Sequence, residues 1–491
     1  MKTLFNLLAA LSMVLVFGGC ASHDRRIAIS ADAPSGIASN SPFPRLKNNI
    51  DELLAGELHP HSIAAIKIIS LDSGETFYET NSRLLLSPAS NQKVFTAAAA
   101  LSLLGPDHRM ETSVALDRSG STIYLKGCGD PLLDAEDLSV LAGEIAVKMP
   151  TKVPYALSAD TSCFDDIYWG SGWMWDDEPE PEEMYLSALS VNGNAITVAL
   201  QPGVAESSPL SVTTHPQTRY VTVANTSSTA KAGGPCTATI SRRPGDRDNL
   251  ISVGGLLAPG CAPVAKRLSV WKPELYALTL FAEQLAQQGI AVSSLKVAAA
   301  PPDAIRLRTM GRPVRKVVSA MLKQSDNLCA ENVLKYLGRS ATGREGSAAS
   351  GIALLTGYLQ SRGVPAAQLR IADGSGVSRY NLATAESIVR LLEATYRDPA
   401  IFGLFSDALP VAGIDGTLAR RMQGTPAEGK VRAKTGSMKG VEALSGYAVT
   451  ADGERLAFSM LMQHFTGPSQ SVRDLQDRIA VLLSSFHRSD N

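Results

Sequence analysis

Apolar and polar positions recur along this chain with two different periods, and the changes of period divide it into segments. The run "FPRLKNNIDELLAG" has the spacing of an amphipathic helix. "SIAAIKIISLDSGETFYETN" predicts a hairpin, with a β-branched run, a DSGE turn and a second strand. "VFTAAAALSLLG" predicts a helix that stops at Gly105-Pro106. From about 108 to 300 helix becomes sparse, Gly, Pro and Thr rise, and short strand-like runs such as "STIYLKGCG" and "AITVAL" predict one or two β-rich insertions. Helical patterns return at "RKVVSAMLKQSDNLCAENVLKYLG" and "AESIVRLLEATYRD", followed by strands at "VEALSGYAV" and "RLAFSMLMQHF" and a closing helix, "SVRDLQDRIAVLLSSF". No internal repeat is present.

The first residues stand apart. Lys2 and the apolar run "LFNLLAALSMVLVFGG" read as an export signal, too short and too isolated for a membrane span. It ends "VFGGC", which resembles a bacterial lipoprotein signal in which Cys20 is lipidated. Phe17 stands where that pattern has a small aliphatic residue, so plain secretion with cleavage near Ala21 is the alternative. Residues 21–43, rich in Ser, Ala, Pro and Gly, read as a flexible tether. The localisation expected is exported, in the periplasm or cell envelope, with membrane contact through the lipid anchor.

Composition narrows the class. The chain has 491 residues, enough for two or three domains, and 45% hydrophobic content suits ordinary cores. Its 46 basic and 47 acidic residues nearly cancel, which argues against a nucleic-acid partner. None of the six cysteines forms a C-x-x-C pair, so no metal site is expected. Cys236 and Cys261 both border strand-like segments and are the pair expected to bridge in an oxidising compartment; five buried thiols are the alternative.

Chemistry enters at "SPASNQKVFTAAAAL". Ser90 and Lys93 are three residues apart at the start of a predicted helix, where side chains at that spacing meet. Ser-x-x-Lys by itself says little, because Ser228/Lys231, Ser269/Lys272 and Ser293/Lys296 repeat it. Ser228 lies in a polar stretch, Ser269 precedes Pro273, and Ser293 sits in a strand pattern whose alternation would point positions three apart to opposite faces. A serine before an apolar run is also the commonest helix N-cap. Two downstream triplets change the weighing: Ser325-Asp326-Asn327 in a helical region and Lys434-Thr435-Gly436 entering a strand. Both, in this order after a helix-borne Ser-x-x-Lys, would coincide by chance on the order of one time in a hundred or less.

This trio resembles the serine β-lactamase/penicillin-binding superfamily. The stretches "LSPASNQKVFTAAAAL", "LGPDHRMET", "GCGDPLL", "GWMWDDEP", "SDNLCAENVL", "ADGSGVSRYNL" and "AKTGSMKGVEALSGY" resemble one branch, the class C low-molecular-mass penicillin-binding proteins. The likeness runs from about residue 45 to the end and is weakest within 200–260. It implies an α/β fold, an antiparallel sheet flanked by helices, with two nested β-rich inserted domains. Catalytic-domain segments would be 44–107 and 300–491, the outer insert 108–195 with 270–299, and the inner insert 196–269.

The resemblance implies a serine-type D-alanyl-D-alanine carboxypeptidase or endopeptidase without cofactor. It would act on peptidoglycan peptides ending in D-Ala-D-Ala and be acylated by β-lactam antibiotics. Ser90 would be the nucleophile and Lys93 its base, neutral through burial and the nearby cation of Lys434. Ser325 would relay a proton to the leaving amine. Asn327 would bond Lys93 or substrate backbone, and Lys434 and Thr435 would hold the terminal carboxylate. Gly436 would admit the substrate strand, and the N–H groups of Ser90 and Ser437 would form the oxyanion hole. Arg379 and Asp177 match positions that face the carboxylate and ammonium of a diaminopimelate side chain, although six carboxylates within 176–183 otherwise read as a solvated loop. Lys439 stands where some relatives have an uncharged residue. Trp169, Trp173 and Trp175 read as a packed loop core. A β-lactamase is one rival, weakened because no E-x-x-x-N element lies between Asn327 and Lys434. A catalytically dead wall-binding lipoprotein is another, and transpeptidation differs only in the acceptor.

Overall fold

The three inner strands of the central sheet bury both of their faces, so alternation there decides which layer a residue joins rather than whether it is buried. In Arg455–Gln463 the residues Leu456, Phe458, Met460 and Met462 face one apolar layer, while Ala457 and Leu461 face the other. The five strands run in the order Arg432–Met438, Val441–Val449, Arg455–Gln463, Ile63–Ser70, Thr76–Thr80, antiparallel throughout. Helices Pro44–Glu57 and Ser469–Ser485 cover the first layer. Helices Gln92–Ala99, Val314–Lys323, Asn327–Thr342, Ala348–Ser361 and Ala385–Tyr396 cover the second. This is the antiparallel sheet between helices that the motifs implied. The computed structural model describes residues 42–149, 153–178 and 180–490; the export signal, Cys20 and most of the tether lie outside them. Phe43, counted with the tether, instead packs against Phe77 and Phe486 with ring centroids 4.2 and 5.4 Å away.

The insertion is less purely β than its composition implied. A mixed five-stranded sheet, ordered Val292–Val297, Tyr155–Asp160, Thr122–Gly127, Arg109–Leu116, Ile305–Pro313, is backed by helices Ala135–Ala146 and Pro273–Gln287. Its last strand, counted with the catalytic segment, pairs antiparallel with Arg109–Leu116. The inner segment carries three small sheets, one ordered Val264–Ser269, Ala195–Gln201, Ser211–His215. Inner and outer segments share one apolar cluster, from Val114 and Leu125 to Ile240 and Val253, and the described residues form a single compact unit. Two disulfides lie here, the expected Cys236–Cys261 and Cys128–Cys163; Cys329 is a buried free thiol.

Candidate active site

Every residue of Gln92–Ala99 is buried, because the alanines let neighbouring helices close in on all sides. The helix is entered through a tight turn, Ala89–Asn91, with Ala89 in the left-handed region at φ 44°. Two glycines pack on that turn. A methyl group at Gly376, whose φ is +89°, would lie 1.9 Å from the Ala89 carbonyl oxygen. One at Gly436 would meet Pro88 O, Ser90 N and Asn91 Nδ2 at 2.9 to 3.0 Å. Gly436 therefore makes room for the Ala89–Asn91 turn that carries Ser90. Ser90 caps nothing; its Oγ accepts a 2.9 Å hydrogen bond from Lys93 Nζ and lies at the floor of a cleft of about 670 Å³.

Lys93 is fully buried, and its ammonium has two further acceptors: Asn327 Oδ1 at 2.6 Å and the Ser375 carbonyl at 2.6 Å. Burial pulls its pKa down to about 8, against the opposing pull of Asp373, Glu331 and Asp326. Lys434, on the edge strand Arg432–Met438, is also fully buried and donates to Ser325 Oγ at 2.9 Å. Its pKa falls well below that of a free lysine through burial and the charge of Lys93. Burial is the largest cause of the fall at Lys93, and the two ammonium groups disfavour each other's charge.

Ser325 does not lie inside a helix. Its φ of 62° breaks the long helical pattern into Val314–Lys323 and Asn327–Thr342, with the Asp326 carboxylate capping the second by accepting from Cys329 N–H at 2.7 Å. The break places Ser325 and Asn327 in the cleft with Ser90. Asn327 spends its amide on the Glu182 carbonyl, at 2.7 Å, and its oxygen on Lys93.

Ser437, Thr435, Arg379 and Asp177 line the same cleft, as does Lys439. Thr435 Oγ1 donates to Thr417 Oγ1 at 2.8 Å, and Ser437 Oγ donates to Glu442 at 2.7 Å. One Asp177 oxygen accepts from Met174 N–H at 2.8 Å. The acidic run is solvated only in part: Asp176 and Glu182 are exposed, Glu178 is buried, and Asp176, Asp177, Glu182 and Glu183 line the cleft. Burial, with Asp177, Glu182 and Glu180 nearby, pushes the Glu183 carboxyl up to about 7. Of the three tryptophans, Trp173 and Trp169 pack edge to face at 5.2 Å, while Trp175 is exposed.

Sequence reasoning missed the support beneath Lys93. Glu331 Oε1 accepts from Gly374 N–H at 3.0 Å and Ser375 N–H at 2.8 Å, pinning the turn whose Ser375 carbonyl holds the lysine. Asp373 fixes the other side of that turn, accepting from Gly376 N–H, Ser378 N–H, Asn381 Nδ2 and Trp173 Nε1 at 2.6 to 2.9 Å. The sole signal was the position of Glu331 four residues after Asn327, on the same helix face.

A serine within hydrogen-bond reach of a buried lysine, facing a second serine–lysine pair, is the constellation of lysine-dependent serine acyl-enzymes. The chain belongs to the D-Ala-D-Ala carboxypeptidase 3 (S13) family, which it matches over residues 46–486, and so to the serine β-lactamase/penicillin-binding superfamily. It is 35% identical to a D-alanyl-D-alanine carboxypeptidase of Actinomadura sp. (strain R39), over 91% of this chain and 86% of that protein. It is 26% identical to the D-alanyl-D-alanine carboxypeptidase DacB of Haemophilus influenzae, over 82% and 86%. The crystal structure of penicillin binding protein 4 from H. influenzae superimposes with a TM-score of 0.79 at 25% identity, covering 89% of this chain and all of that one.

Proposed function

We propose that this carboxypeptidase works through an acyl-enzyme on Ser90. Ser90 Oγ bonds to the carbonyl carbon of the penultimate D-Ala while its proton passes to neutral Lys93 Nζ. The peptide C–N bond breaks, the leaving D-Ala amine takes a proton through Ser325, and water then releases the acyl group. The N–H groups of Ser90 and Ser437 stabilise the oxyanion. Lys434 holds the substrate's terminal carboxylate with Thr435 and Thr417. Arg379 and Asp177 take the charged end of the stem-peptide side chain. Crosslinks ending in D-Ala are cut the same way, and β-lactams acylate Ser90. The enzyme acts in the cell envelope, exported and anchored through Cys20, and the insert divides into an outer and an inner domain around 196–269.

The observation that carries this reading is the 2.9 Å bond between Lys93 Nζ and Ser90 Oγ in a cleft shared with Ser325. The test is Ser90→Ala, assayed for D-Ala release by mass spectrometry and for labelling by a fluorescent penicillin. Both are expected to vanish while the melting temperature holds; unchanged D-Ala release would remove Ser90 from the mechanism.

A further inference from the structure

The run of six carboxylates between residues 176 and 183 sorts into two groups by what each side chain touches. Glu178 and Glu180 point to the inner insert. The Glu178 carboxylate forms an ion pair of 2.5 Å with Arg242 Nη1, both side chains almost wholly buried at 5% and 1% exposure. Its other oxygen accepts from Gly245 N–H at 3.0 Å. Arg242 is in turn fixed by Ser269 Oγ at 3.1 Å and the Asp248 carbonyl at 3.2 Å, beside the Tyr185 ring. Glu180 pairs with Lys266, on the strand Val264–Ser269, at 2.9 Å. The remaining four carboxylates line the cleft together with Arg379 and Lys439. At the far end of the strip the Glu182 carbonyl receives the Asn327 amide, whose oxygen holds Lys93.

Four carboxylates set close together disfavour each other's charge, and a strip without regular structure would relax into water unless its ends were tied. We propose that the inner insert is a clamp. Through Arg242 and Lys266 it holds the strip against the cleft, and so Arg242 is a positioning residue for recognition of the substrate side chain. The inference rests on the proposed acyl-enzyme reading and assigns the insert a part in it. A buried Arg–Glu pair is a directional tie, because removing one partner leaves the other charge stranded and expels the segment that carries it.

The experiment compares two peptides ending in D-Ala-D-Ala, one with diaminopimelate and one with Nε-acetyl-lysine as third residue, on the full chain. In Arg242→Gln the KM for the diaminopimelate peptide is expected to rise about tenfold, with kcat changing less than about threefold. The preference between the two peptides shrinks toward unity. Arg242→Lys restores the preference in part. Lys266→Ala, which breaks an exposed pair and so spares folding, shifts the preference in the same direction by about twofold. A lowered melting temperature with the preference intact in both Arg242→Gln and Lys266→Ala would overturn the clamp. Stoichiometric penicillin labelling of Ser90 is measured alongside; its loss in the parent would strike the acyl-enzyme reading instead, so the two failures are separable.

Discussion

The two walls of the cleft are built on opposite principles. One wall is the turn at Ala89–Asn91, the helix break at Ser325 and the edge strand at Lys434, where half-buried Ser90 and Ser325 meet the fully buried Lys93 and Lys434 in hydrogen bonds of 2.6 to 2.9 Å. The other is the strip from Asp176 to Glu183, tied at a few points and otherwise open to the cleft. A reacting group needs fixed distances and a suppressed charge, and burial supplies both. A group that selects among substrates gains from charge left facing the cleft. The difference teaches that side chains of the first wall should fail abruptly when changed, and those of the second should fail gradually and with regard to substrate.

The sharpest break of the comparison is Lys93→Ala. No other described side-chain amine contacts Ser90 Oγ, so penicillin acylation is expected to fall about 10³-fold, within the range for a general base. Stopped-flow labelling measures it; a fall below tenfold would mean that the serine finds another base. In the parent, acylation should climb with pH through about 8, because Lys93 acts as a base only when neutral and roughly one in ten molecules is neutral at pH 7. A rate flat from pH 6 to 9 would contradict the burial of that amine.

Next in size is Gly376→Ala. The substituent would meet the Ala89 carbonyl at 1.9 Å, backbone against backbone, at a φ that L-residues rarely adopt. A stability loss of at least about 1–3 kcal/mol is expected from strain, together with a drop in acylation as the turn that carries Ser90 shifts. Gly436→Ala meets its neighbours a full ångström farther away and should be milder in both readouts, measured by thermal unfolding and labelling.

These glycines also mark where the sequence stopped being legible. The helices and strands of the first wall could be read because apolar period and short triplets coincide there, at Ser90/Lys93, Ser325/Asn327 and Lys434. The partners of Gly376 and Gly436 lie hundreds of residues away, and no local pattern encodes that approach. Helix Pro273–Gln287 was invisible for a different reason: ten of its residues are buried, on nearly every side, so it lacks the polar stripe that betrays a helix. Glu331 belongs to no triplet and works by holding backbone, and the strip's carboxylates look alike until their partners in the inner insert are known.

Glu331→Gln makes a finer cut. Burial and the nearby Asp373 push its carboxyl up to about 8, close to where Lys93 titrates. An ionised Glu331 attracts the Lys93 proton and raises its pKa, so removing that charge must move the midpoint of the acylation profile to lower pH, by roughly half a unit to one unit. The amide oxygen can still accept from Gly374 and Ser375, so the maximal rate should stay within about threefold. A midpoint that rises, or does not move, would remove Glu331 as an electrostatic partner of Lys93.

The smallest expected effect belongs to the second wall. Asp177→Asn keeps an oxygen able to accept from Met174 N–H, so the local turn survives, and the change removes one of the four carboxylates that line the cleft. Penicillin acylation should be unchanged, since that ligand carries no diaminopimelate ammonium. The KM for a diaminopimelate peptide should rise about two- to fivefold, the scale of one partly exposed charge contact. Glu183 should at the same time ionise more readily, because Asp177 is one of the charges that push its carboxyl up to about 7. The acidic limb of KM against pH should therefore move down. If Asp177→Asn slowed penicillin and peptide equally, the two walls would not be separable, and the division of the cleft into a reacting side and a selecting side would fail.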